Sequence, residues 1–147
     1  TAAGNLGGWT LRELDAAGTE HVLATIPAGT ILAGGGFYVI GSPGLARANL
    51  FFSRFDALPD DTAALVLRDA SGVRRDALVL ESFRGLSPAL AELAEGEGLW
   101  GEFLSTDALP ISWGRVRDGY DSGNARDFAL LPATPGTTNA LPALLPW

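Results

Sequence analysis

Residues 25–43 read TIPAGTILAGGGFYVIGSP, two apolar strand-like runs separated by residues suited to tight turns. Ile26 closes one extended run, residues 27–30 carry turn chemistry, and Ile31 and Leu32 are apolar again. Gly34, Gly35 and Gly36 permit the positive φ that side chains resist, and residues 37–40 (FYVI) then resume an extended run. No acid, base or nucleophile suited to catalysis lies within the stretch, so it speaks for a β fold and not for an activity.

The flanking sequence extends the pattern. A strand is expected from Trp9, with Trp9, Leu11 and Leu14 on or beside a buried face, and residues 21–26 return as its partner. Residues 15–18, DAAG, form the loop between them, because Asp15 can bond back to the backbone and Gly18 can turn left-handed. Residues 64–68 and 73–80 repeat the arrangement around 69–72, DASG. Between the hairpins, residues 42–44 stop a strand and 45–49 suit a short helical turn. Leu50, Phe51, Phe52 and Phe55 make an apolar cluster too dense to lie wholly in water, and 57–61 read as a loop.

One helix is expected, over residues 87–96, with Ser87 as N-cap, Pro88 in the first turn and Gly96 as the stop. About two turns long, it decorates a sheet and forms no layer. Residues 99–108 read as irregular, 111–116 as a strand, 118–127 as a polar loop and 128–131 as a short apolar stretch.

At 147 residues the chain suits one domain with a core of its own. The 19 glycines and 9 prolines favour short strands and turns, so the class is mainly β. The expected division is a sandwich over 1–131 and a Pro-rich apolar C-terminal tail over 132–147. An apolar fraction of 47% argues against disorder, and no apolar run reaches the roughly 18 residues that a membrane span needs. Net charge is −7 and every basic residue is arginine, which disfavours a nucleic-acid partner. Cysteine is absent, so disulfide and thiolate chemistry are excluded. The sequence opens on Thr1 without a methionine, which suggests cleavage or a longer parent chain.

Four oxygen-bearing residues, Asp118, Asp121, Asn124 and Asp127, recur every third position in a Gly-containing loop, a composition able to wrap Ca²⁺. The spacing is not that of an EF-hand, and Asx-turns held by Arg115, Arg117 or Arg126 account for the same residues. Calcium is the one cofactor the sequence admits. His21 stands mid-strand with no local triad partner, and Glu92, Glu95, Glu97 and Glu102 surround a solvated helix and its exit. Trp9 and Trp113 belong to strands and are expected in the core, leaving Trp100 and Trp147 for contacts. The triple glycine lacks the lysine of a phosphate loop. No convergent nucleophile, base and oxyanion set is visible, and the expectation is a protein that is not an enzyme.

Residues 5–11 (NLGGWTL) and 26–40 (IPAGTILAGGGFYVI) resemble the "GWtL … fPaGt.LapGgy.vv" core of lamin-tail domains. Residues 66–72 with Asp76 resemble that family's later hairpin, and 113–121, 127–128 and 134–139 (TPGTTN) resemble its trailing "gR.pDG.DT..N..DF … TPG..N". The resemblance implies an immunoglobulin-like β-sandwich with one short helix added. It further implies a non-catalytic module, secreted or at the cell surface, whose relatives also occur beside nuclease or phosphodiesterase domains. That catalytic machinery has no counterpart in these residues.

The family also carries two strands ahead of the GW motif, and this sequence starts where they would end. A sandwich without them exposes backbone edges and an apolar groove. The candidates to fill the gap are a missing amino-terminal piece, a strand from another subunit, or the chain's own tail, residues 141–147 (LPALLPW). Pro142 and Pro146 share one parity, so in extended chain one edge lacks their N–H groups while Leu141, Ala143, Leu145 and Trp147 keep theirs on the other. Such a segment adds to one neighbour and refuses a second. The expected partner is protein: copies of this chain, in a self-assembling filament or surface layer joined by strand addition, or a neighbouring domain of the same precursor. The competing readings are a tail in polyproline form on its own domain, and a calcium- or carbohydrate-binding accessory module.

Overall fold

The Asp-Ala-Ala-Gly and Asp-Ala-Ser-Gly loops build the main sheet of the computed structural model, which describes residues 2–15, 17–53, 62–81, 87–94, 99–100, 111–123 and 125–139. In the first, the Asp15 N–H donates to the Thr19 carbonyl, the Gly18 N–H to the Asp15 carbonyl, and Gly18 takes φ 85°. The second is the same device, with Asp69 N–H to the Val73 carbonyl, Gly72 N–H to the Asp69 carbonyl and Gly72 also at φ 85°. Each is a three-residue hairpin loop whose glycine makes the bulge that returns the chain in register. The aspartate carboxylate holds the loop shut: Asp69 Oδ1 accepts from the Ser71 and Val73 N–H groups at 2.9 and 3.0 Å, and from the Ser71 hydroxyl at 2.6 Å.

The strands in order are β1 (Gly4–Asn5), β2 (Thr10–Asp15), β3 (Glu20–Thr25), β4 (Ile31–Leu32), β5 (Ile40–Gly41), β6 (Leu50–Phe51), β7 (Thr62–Arg68), β8 (Arg74–Glu81), β9 (Leu99–Trp100), β10 (Ile111–Arg115) and β11 (Phe128–Pro132), with helix α1 (Pro88–Leu93) between β8 and β9. Five strands form one sheet in the order β3-β2-β7-β8-β9, antiparallel except for the β8–β9 pair. Smaller pairs are β1–β4, β10–β11 and the parallel β5–β6. The architecture is mainly β and sandwich-like, with one short helix, as the sequence leads one to expect.

Directly opposed residues share a sheet face. Leu14, Ala64 and Val79 line up on one face across β2, β7 and β8. Leu90 of α1 closes over this row, with Ala63 beside it and Leu93 and Ala94 packed on the rim. The opposite face carries the row Leu11–Leu67–Asp76 and the row His21–Glu13–Leu65–Leu78.

Several local readings need correction. The helix ends at Leu93, before Gly96: the Ala94 N–H still reaches the Leu90 carbonyl, but Ala94 is already extended at ψ 126°. Ser87 is the N-cap as expected, accepting from the Leu90 N–H at 3.3 Å. Leu99 and Trp100 are not irregular, because the edge of β8 gives their backbone a ladder. Ile31 and Leu32 pair with Gly4 and Asn5, and of residues 37–40 only Ile40 enters a ladder, with Leu50. Residues 45–49 make successive turns and no helix. Trp9 and Trp113 are half-buried, and Phe51 is exposed.

Two measurements probe this frame. Leu90→Ala is expected to cost about 2–5 kcal/mol in urea unfolding, because a fully packed leucine is truncated beneath a helix too short to stand alone. The Asp69 carboxyl is held down at about 2 by the Ser71 hydroxyl first, with Arg75 and the Val73 and Ser71 N–H groups adding to it. A depressed folded pKa stabilises above the unfolded value of 3.8 and is lost as pH falls from there toward about 2. Asp69→Asn should therefore flatten the fall of the thermal midpoint over that interval while leaving its slope near pH 7 unchanged.

Candidate functional site

Arg115 ends β10 and gathers the polar residues of three separate segments. Its Nη2 donates to both oxygens of Asp76 at 2.9 Å, a bidentate bridge from β10 to β8. Its Nη1 donates to the Tyr120 carbonyl at 3.1 Å and to Asp127 Oδ2 at 3.4 Å, and lies 3.5 Å from Asp121 Oδ1. The guanidinium carbon sits 4.4 Å from the centroid of the Phe128 ring, so the cation is also covered by an aromatic face. The Arg115 side chain is only 14% exposed.

The surrounding loop is organised on the same group. Asp127 accepts from the Ser122 N–H at 2.6 Å and the Ser122 hydroxyl at 2.8 Å. These two donors, and behind them the charge of Arg115, hold the Asp127 carboxyl below its ordinary range. Asp121 turns back on its own loop, accepting from the Gly123 N–H at 2.9 Å. Asp118 accepts from the Asn139 N–H at 3.1 Å, and Asn139 Nδ2 donates to the Arg115 carbonyl at 2.9 Å. Asn139 lies flat on Gly114, where an added Cβ would come within 3.2–3.3 Å of its amide group.

Of the four residues considered for calcium, Asp121 and Asp127 lie against Arg115, and Asp118 holds the Asn139 N–H beside them. Asn124 lies outside the described residues. Among the described residues no three His, Cys, Asp or Glu side chains converge as a metal set. Asp76, Ser122 and Asn139 complete the cluster without any local spacing to announce them, 39 residues separating Asp76 from Arg115. In β8 Asp76 directly follows Arg74 and Arg75 and precedes the apolar run 77–80, so its own neighbours give no sign of a distant partner.

His21, half-buried in β3, places Nε2 3.4 Å from Asp15 Oδ2 and stands in register opposite Glu13, which is 1% exposed. Of the expected contact residues, Trp100 has its backbone in β9, while its side chain and Leu141, Ala143, Leu145 and Trp147 lie outside the described residues.

No family model matches the chain, and no curated protein or solved structure matches it. Among the described residues no helix is long and apolar enough to cross a membrane.

Arg115→Met removes five donors from a mostly buried position and is expected to cost about 2–3 kcal/mol in urea unfolding. Arg115→Lys should recover less than half, because an ammonium cannot bridge both Asp76 oxygens and still serve Tyr120 and Asp127. A loss below about 0.5 kcal/mol for Arg115→Met, the range of an ordinary surface pair, would remove the bridge from its central place.

Proposed function

We propose that this chain is a non-catalytic structural and interaction module of a secreted or cell-surface protein. In this reading it is a lamin-tail-like, immunoglobulin-like sandwich that joins copies of itself by β-strand addition. The observation that supports it most is where the polar motif residues go. Asp76, Arg115, Asp118, Asp121, Asp127 and Asn139 bond to one another and to the backbone. A substrate-binding centre keeps polar groups turned to a cavity; here they fasten a hairpin to a sheet. Interaction then falls to edges and apolar surface, and Phe37, Phe51 and Ile31 are 42%, 48% and 62% exposed.

Strand addition needs a donor that pairs on one side only, and residues 141–147 have that pattern of prolines. Sedimentation across a concentration range tests the reading. The full chain is expected to grow in size with concentration, and the chain lacking 141–147 to remain monomeric. Equal sizes for the two forms would rule out this segment as the donor.

A further inference from the structure

We propose that residues 37–40 are the acceptor edge, and that the strand added there is residues 141–147 of a second copy of this chain; this rests on the assembly reading above. The alternation of the backbone identifies the open side. Val39 faces β6: its N–H donates to Asn49 Oδ1 at 2.8 Å, and its carbonyl accepts from the Asn49 and Leu50 N–H groups. Gly41 faces the same way, its carbonyl accepting from the Phe52 N–H. In extended chain the groups of Tyr38 and Ile40 therefore point to the opposite edge. Among the described residues β5 carries a ladder on one side only.

The run is suited to strand pairing, with aromatic and β-branched residues throughout. Exposed Phe37 starts it, and exposed Phe51 is paired with Gly41 at its far end. An incoming segment with Leu141, Ala143, Leu145 and Trp147 on one face offers apolar side chains to this surface, and its donors along one edge match the groups of Tyr38 and Ile40 that point away from β6.

The path of the chain favours a second copy over its own edge. At Gly136 an added Cβ would touch Val39 Cγ2 at 3.4 Å, so the chain passes beside the acceptor strand there. By Asn139 it is fastened to Asp118 and to the Arg115 carbonyl on β10. In sequence one residue separates this anchor from the seven-residue segment, and a tight reversal takes two central residues.

The absence of native cysteine makes the test direct. Copies carrying Tyr38→Cys are mixed with copies carrying Leu145→Cys under mild oxidation, with neighbouring acceptor positions Phe37→Cys and Val39→Cys run alongside. Val73→Cys, on an exposed hairpin tip, serves as the control. The expected result is mixed disulfide dimers at one of the three positions at least tenfold above the control, and loss of sedimenting assemblies in Tyr38→Pro, which removes an outward donor. A chain carrying both Tyr38→Cys and Leu145→Cys that closes on itself, with no mixed dimers, would overturn the proposal in favour of its own edge. Assembly that persists with cross-linking no better than control would overturn the acceptor alone and leave strand addition standing. A full chain that stays monomeric at every concentration would overturn both.

Discussion

The Asp76–Arg115 bridge is the constraint on which the arrangement of this molecule depends. Hairpin β10–β11 shares no ladder with the five-stranded sheet among the described residues, so its attachment falls to side chains. One guanidinium nitrogen shared by both Asp76 oxygens, with the other turned to the loop, fixes direction as well as distance, which an apolar contact does not. The same guanidinium then orders the 118–127 loop through Asp121, Asp127 and the Tyr120 carbonyl, and its own carbonyl receives Asn139. One charge therefore joins a strand, a loop and the segment after β11. Its half-buried setting makes the pair costly to break from one side, since the remaining charge would keep its desolvation without its partner.

The main sheet is held differently, by local means. Two loops of nearly identical sequence close β2–β3 and β7–β8, each with an aspartate that accepts loop N–H groups and a glycine that takes the left-handed position. These contacts span few residues and fix the register of each hairpin locally. The β2–β7 ladder then joins the two hairpins, and Leu90 covers the Leu14–Ala64–Val79 row. The sheet can thus be regarded as two preformed hairpins, and the bridge as what binds a third to their far side.

Backbone satisfaction is uneven across the fold. Among the described residues β2, β7 and β8 are paired on both sides, whereas β5 is paired on one side and exposed Phe37 and Phe51 lie near its ends. Exposed edges with aromatic neighbours invite further strands, and a protein that functions through association places them where a partner can reach. The polar cluster lies on the β10 side, where its members bond to one another and to the backbone.

By itself the sequence determined the β class, both Asp-Ala-x-Gly hairpins, the Ser87 cap and the strand at 111–115, because each depends on neighbours within a few residues: a side-chain acceptor, a glycine at positive φ, an alternation of apolar positions. It also brought Asp118, Asp121 and Asp127 into one loop. Tertiary structure decided that Arg115 meets Asp121 and Asp127 and that Asp76, far away in the chain, is the carboxylate nearest to it, since no local pattern encodes a contact across 39 residues. It likewise decided that Leu99 and Trp100 are strand, that the helix stops at Leu93 and that residues 37–39 lie outside any ladder. Strand pairing is a property of two segments at once, and the physics of either one alone does not contain it.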